Sequence, residues 1–75
     1  MGVKSAQKDI ELFSQLKTGV VSDRIDADQP GRVWYRATYW PACLYNLETQ
    51  DILLPNMEVI IVGRRGITLL VRPKP

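Results

Sequence analysis

Residues 57–72 read MEVIIVGRRGITLLVR, with two apolar, β-branched segments on either side of Gly63-Arg64-Arg65-Gly66. Short runs of branched aliphatic residues favour β-strands, and glycines between such runs indicate a tight turn. We therefore predict a hairpin with strands at 57–62 and 67–72. In this hairpin, strand alternation points four residues to a core: Val59, Ile61, Leu69 and Val71. The same alternation points Ile60, Val62 and Leu70 outward.

The same β texture extends upstream to residue 18. Three more strands are predicted, at 18–24 (TGVVSDR), 32–36 (RVWYR) and 39–45 (YWPACLY), the last two joined by a turn at Ala37-Thr38. A flat sheet of five short strands would leave both edges open to other chains, so we expect closure into a small all-β barrel. The oligonucleotide/oligosaccharide-binding (OB) fold uses five strands, and an SH3-like barrel is the alternative at this length.

Residues 1–17 differ in character from the rest of the chain. Ile10, Phe13 and Leu16 are spaced as on one stripe of a helix, and Gly19 is a plausible helix stop. Isolated helices of this length are marginal in water, so a short helix and a flexible arm are both open. The predicted organisation is an arm at 1–17 followed by an OB-fold-like barrel at 18–75.

The aromatic hairpin places its two tryptophans on opposite faces. Pairing Arg36 with Tyr39 sends Trp40 to the core with Val33, Tyr35, Ala42 and Leu44, and sends Trp34 outward. We therefore expect Trp40 to be buried and Trp34 to be exposed. An outer face rich in large apolar side chains is typical of an interaction surface. The candidate surface consists of Trp34, Arg36, Tyr39, Tyr45, Ile60 and Leu70.

Composition argues against catalysis. The chain has no histidine, one cysteine (Cys43) and a formal net charge of +2. A histidine-based triad or metal site is thereby excluded, and Cys43 lacks a partner to activate it, so we predict no enzyme, no cofactor and no metal. The aspartates of DRIDAD (residues 23–28) do not have EF-hand spacing and are expected to cap turns. A single cysteine and the lack of a long apolar run predict a soluble, cytoplasmic domain without a transmembrane segment.

The order and spacing of the glycines and apolar residues in this chain are similar to those of a known protein family. The residues that carry it are Gly19-Val20-Val21, Pro30-Gly31-Arg32-Val33, Trp40-Pro41-Ala42, Val59-Ile60-Ile61-Val62-Gly63, Gly66 and Leu69-Leu70-Val71-Arg72-Pro73. In this order and spacing, residues 18–73 resemble the C-terminal soluble domain of NfeD-like proteins. The resemblance implies an OB-fold interaction module without an active site, associated with stomatin-like membrane-scaffold proteins and peripheral to the membrane only through a partner.

Two functions are open at this point. The first is protein binding through the outer face, with a stomatin-like scaffold or a second copy of the chain as the partner. The alternative is binding of single-stranded nucleic acid, because OB folds stack bases on aromatic side chains of strands 2 and 3. Trp34 and Tyr39 would form that platform, with Arg32 and Arg36 beside it.

Overall fold

The computed structural model describes residues 10–75, and these form five β-strands. The strands are β1 (Ile10–Asp23), β2 (Gly31–Tyr35), β3 (Thr38–Leu44), β4 (Glu58–Arg65) and β5 (Thr68–Pro73). They close into a barrel in the order β1-β2-β3-β5-β4, in which only β3 and β5 run parallel. The predicted all-β, five-stranded barrel is confirmed.

The first strand begins earlier than predicted. Ile10 pairs with Arg65 and Leu12 pairs with Gly63, so residues 10–17 belong to β1 and are neither of the two alternatives left open for them, a short helix or a flexible arm. Backbone hydrogen bonds to β4 stabilise this segment as a strand, whereas an isolated helix of this length is only marginally stable in water. Gly63 permits the contact, because a Cβ at that position would lie 2.3 Å from the carbonyl oxygen of Glu11. The rest of the predicted arm, residues 1–9, lies outside the described residues.

The β2–β3 turn begins one residue before its predicted position, and the β4–β5 turn begins three residues after its predicted position. The β2–β3 turn is Arg36-Ala37, with φ of 53° and 63°, and the β4–β5 turn is Gly66-Ile67. Arg64 and Arg65 are therefore strand residues and not part of a turn. In the β2–β3 turn, positive φ at both central residues produces the twist that a two-residue hairpin needs, here without the usual Asn-Gly sequence.

The register of the aromatic hairpin differs from the prediction by two residues. Val33 pairs with Trp40 and Trp34 pairs with Tyr39, whereas the prediction paired Val33 with Ala42. Because side chains alternate with a period of two, this even shift leaves every predicted face unchanged.

The core lies inside the barrel and is entirely apolar among the described residues. Its buried members are Val21, Ile25, Val33, Ala42, Leu44, Leu53, Val59, Ile61, Leu69 and Val71. Ile25 and Leu53 come from connecting segments and exchange two backbone hydrogen bonds, of 2.9 and 2.8 Å. The bridge between them fixes the long connection between β3 and β4 against the barrel.

Candidate functional site

An exposed aromatic pair marks the outer face of the β2–β3 hairpin. Trp34 and Tyr39 are cross-strand partners, and their rings meet edge to face with centroids 4.7 Å apart and planes at 65°. They retain 42% and 57% of their solvent exposure, respectively. On the other side of β2, Val20 of β1 pairs with Trp34 and is half-buried. We call this row across three strands, Val20, Trp34 and Tyr39, the aromatic ladder.

Two charged groups beside the aromatic ladder are paired. Arg32, which lies two residues before Trp34 on the same outward face, is 3.5 Å from the carboxylate of Asp23. At the other end of the row, Glu58 pairs with Val20 in the sheet, and its carboxylate accepts a 2.7 Å hydrogen bond from Lys74, which lowers the pKa of Glu58. Exposed pairs of this kind add little stability, but they offset the charges of Arg32 and Glu58 at the rim of the ladder.

The structure separates the six residues predicted to form the interaction surface. Trp34 and Tyr39 lie together, and Ile60 is half-buried and joins the same outer face through its pairing with Thr18. Tyr45 is exposed beyond the end of β3, where its N–H donates to the carbonyl of Val71 at 2.9 Å. Arg36 lies in the β2–β3 turn, with its guanidinium 5.3 Å from the centre of the Tyr35 ring.

Leu70 is not part of any surface, because only 4% of it is exposed. A bulge in β4 pairs Ile61 with Val71 and Gly63 with Leu70, so Val62 has no partner and is also buried. The predicted exposure of Leu70 and Val62 assumed that the face opposite the core meets solvent. Residues 61–63 and 69–71 are instead buried without alternation, so both faces of the two strands are covered here.

Trp40 is less buried than predicted. It is half-buried and packs against the core together with Phe13 and Tyr35. These three aromatic residues also line an open cavity of about 260 Å³ at one end of the barrel, with Lys17 and Arg36 at its edge. Sequence reasoning missed this cavity because it placed Phe13 and Lys17 in an arm outside the barrel.

The aspartate loop caps a turn, as predicted. One carboxylate oxygen of Asp26 accepts hydrogen bonds from the backbone N–H groups of Asp28 and Gln29, at 2.8 and 2.9 Å. These bonds, led by that of Asp28, lower the pKa of Asp26, and Arg24 adds to the effect from 3.1 Å. Within residues 10–75, no three Cys, Asp or Glu side chains are arranged to hold a metal ion.

Cys43 sits half-buried on β3, and burial raises the pKa of its thiol, a shift that the nearby charge of Arg65 opposes in part. A thiol held in its neutral form is a poor nucleophile. The surroundings of Cys43 therefore favour packing over covalent chemistry.

Comparison with known proteins adds no relative: neither the family models nor the curated proteins contain a match to the chain. Among residues 10–75 no helix has the length and apolar character required to cross a membrane. The geometry of the barrel surface is thus the basis for a functional assignment.

Proposed function

We propose that this protein is a non-catalytic interaction module that binds another protein through the aromatic ladder. The exposed edge-to-face pair of Trp34 and Tyr39 carries the proposal. Tryptophan and tyrosine are enriched at the centres of protein interfaces, where they bury a large area at a low cost in side-chain entropy. A polar rim around an apolar centre is the usual anatomy of such an interface.

The proposed partner is a stomatin-like membrane-scaffold protein, reached by an OB-type barrel related to the C-terminal domain of NfeD-like proteins. The five-stranded order β1-β2-β3-β5-β4 supports this assignment. So does the crowding at two glycines of the quoted motifs, since a Cβ at Gly31 or at Gly63 would lie 2.3 Å from a backbone carbonyl oxygen. In this proposal the protein acts in the cytoplasm and meets a membrane only through its partner.

Single-stranded nucleic acid is the second candidate, favoured by the position of the ladder on strands β2 and β3. The charge pattern argues against it. Binding to a phosphate backbone draws on unpaired cations, but Arg32 is paired with Asp23 and Lys74 with Glu58, which leaves Arg36 as the cation beside the ladder with no ion pair among residues 10–75. Protein binding therefore accounts for the surface better.

Affinity capture with the full chain tests the proposal. A stomatin-like protein should be recovered by the wild type and lost when Trp34→Ala and Tyr39→Ala are combined. Tyr45→Ala is the matched control, because Tyr45 is also exposed but lies outside the ladder. Equal recovery by the double variant and the wild type would exclude the ladder as the binding surface.

A fluorescence titration separates the second candidate from the first. If the ladder stacks bases, oligothymidylate at low salt quenches the emission of Trp34, and added salt reverses the quenching. We expect no quenching. A Trp34→Phe variant, which keeps Trp40 as the remaining fluorophore, identifies the source of any signal.

A further inference from the structure

The barrel-end cavity lies where both hairpin turns meet the first half of β1. The residues that line it include Phe13 and Lys17 of β1, Tyr35 and Arg36 at the β2–β3 turn, and Ile67 in the β4–β5 turn. Its volume of about 260 Å³ is slightly below the range of about 300 to 1,000 Å³ that is typical of sites for drug-sized ligands. A cavity of this size suits a single ring and the group attached to it.

The lining of the cavity is largely aromatic and apolar. Phe13, Tyr35 and Trp40 are half-buried, and each packs against the core while also lining the cavity. The indole N–H of Trp40 is already bound within its own hairpin, so these side chains offer a ligand apolar surface and ring faces. Ile67 adds apolar surface that is still 68% exposed and that a bound ring would cover.

An irregularity in β1 lies beside this cavity. The register between β1 and β4 shifts between Leu12 and Lys17, so the regular two-residue alternation is interrupted there. Irregularities of this kind re-aim side chains and are frequent at the rims of barrels and next to active sites. Phe13 lies within the irregular stretch and Lys17 lies at its end, and both line the cavity.

The charged residues that line the cavity give it a positive balance. Lys17 and Arg36 have no ion-pair partner within residues 10–75. In the same part of the chain, Glu11 is the one acidic residue of the lining, and its carboxylate is bound to Arg64 at 3.0 Å. The guanidinium of Arg36 lies 5.3 Å from the centre of the Tyr35 ring, within the range of a cation–π contact that orients it. Two such cations beside an aromatic cavity are complementary to an anionic group.

We propose that the barrel-end cavity binds an aromatic anion, a single ring that bears a carboxylate or a phosphate group. The ring packs among the aromatic side chains of the lining, which favour edge-to-face and offset contacts with it. The anionic oxygens accept hydrogen bonds from Lys17 and Arg36. Hydrogen bonds from these cations to carboxylate or phosphate are about twice as strong as bonds between neutral groups. The ring therefore fills the cavity, and the anionic group fixes its orientation.

This site goes beyond the proposed function, because its lining does not include the aromatic ladder. A Trp34→Ala, Tyr39→Ala variant should lose its protein partner and still bind the aromatic anion. A variant at Lys17 should lose the anion and still bind the protein partner. Failure of one proposal is therefore distinguishable from failure of the other.

Titration of the full chain with four small probes, followed by NMR of the backbone amides, tests the ligand class. Phenylacetate and phenyl phosphate should shift the amides of Phe13, Lys17, Arg36 and Ile67 along saturable curves, and the tighter of the two identifies the preferred anionic group. Phenylacetamide, which lacks the charge, and acetate, which lacks the ring, should bind at least about tenfold more weakly. The proposal is overturned if neither anion shifts these amides, or if phenylacetamide binds as tightly as phenylacetate.

Substitution of the charged residues in the full chain tests the site itself. Lys17→Gln and Arg36→Gln should each weaken the binding of the tighter anion about tenfold. Arg72→Gln is the matched control and should leave the affinity unchanged, because Arg72 is exposed, has no ion pair among the described residues and does not line the cavity. Glu11→Gln should tighten binding about threefold, since it removes a negative charge from the lining. Wild-type affinity in both cation variants overturns the proposal, as does a Glu11→Gln variant that binds as weakly as Arg36→Gln.

Discussion

The indole N–H of Trp40 donates a hydrogen bond to the backbone carbonyl of Tyr35 across the β2–β3 turn, at 3.0 Å. Trp40 itself pairs with Val33, so its side chain reaches past its own cross-strand partner to the end of β2. The bond satisfies a half-buried polar group and fixes the ring beside the core. The two tryptophans of this hairpin thus have different roles, one in packing and one at the surface.

Substitution of the two tryptophans should therefore have unequal effects on stability. Trp40→Ala should lower the free energy of unfolding by about 3 kcal/mol, the low end for large aromatic residues, because the side chain is only half-buried. Trp40→Phe keeps most of the packing and should cost about 1 kcal/mol for the lost hydrogen bond. Trp34→Ala should cost about 1 kcal/mol, the worth of its contact with Tyr39. Urea titration measures all three, and a larger loss for Trp34→Ala than for Trp40→Ala would contradict this account.

Glycine should stabilise the β2–β3 turn. Ala37 adopts φ of 63°, a conformation in which a Cβ is unfavourable, so Ala37→Gly should raise the free energy of unfolding by about 1 kcal/mol. Gly66 in the other hairpin has the same φ, and a Cβ there would meet no atom within 4 Å. Gly66→Ala is thus the reverse experiment and should cost about 1 kcal/mol. Changes of the same sign in the two variants would show that backbone conformation is not the cause.

A methyl group at Gly31 should disrupt the entry into β2. A Cβ at this position would lie 2.3 Å from the carbonyl oxygens of Asp23 and Arg24 and 2.8 Å from a side-chain carbon of Ile25. Two of these contacts are with backbone that cannot move independently, so Gly31→Ala should destabilise the protein by about 3 kcal/mol, well above the cost at Gly66. Thermal unfolding of both variants checks the difference. Similar midpoints for the two would indicate that the loop before β2 adapts without strain.

The thiol of Cys43 should react slowly and only at raised pH. Burial raises the pKa of this thiol, so at any given pH below that value less of it is the reactive thiolate than in an unfolded chain. The rate of alkylation by iodoacetamide should therefore rise at higher pH in the folded protein than in urea. The same raised pKa makes the folded state bind this proton more tightly, so stability falls as the pH rises through the thiol's titration range. If the alkylation rate of the folded protein rose at the same pH as in urea, or at a lower pH, the burial of Cys43 would be contradicted.

Strand-forming composition and turn signals were sufficient to predict the five-stranded barrel, and alternation along the strands was sufficient to predict the exposure of Trp34. The faces of the aromatic hairpin survive a two-residue error in register because a shift by an even number keeps each side chain on its side. The burial of Leu70 could not be predicted in the same way, since alternation gives the face on which a residue lies but not whether that face is covered, and here residues 69–71 are all buried. The first half of β1 was misassigned because its spacing also fits a helix, and only the distant residues 63–65 decide between the two structures.

The pairing of Ile10 with Arg65 constrains how the protein is made. During synthesis β1 leaves the ribosome first, but its partner β4 follows only after the aromatic hairpin and the long connection have emerged. Pairing of strands so distant along the chain is slow, and apolar strand segments that wait for a partner are exposed to aggregation. Among the described strands, the β2–β3 and β4–β5 hairpins can form from neighbouring residues alone. Until β4 is translated, the nascent chain therefore carries Ile10 and Phe13 without the neighbours that half-bury them in the barrel.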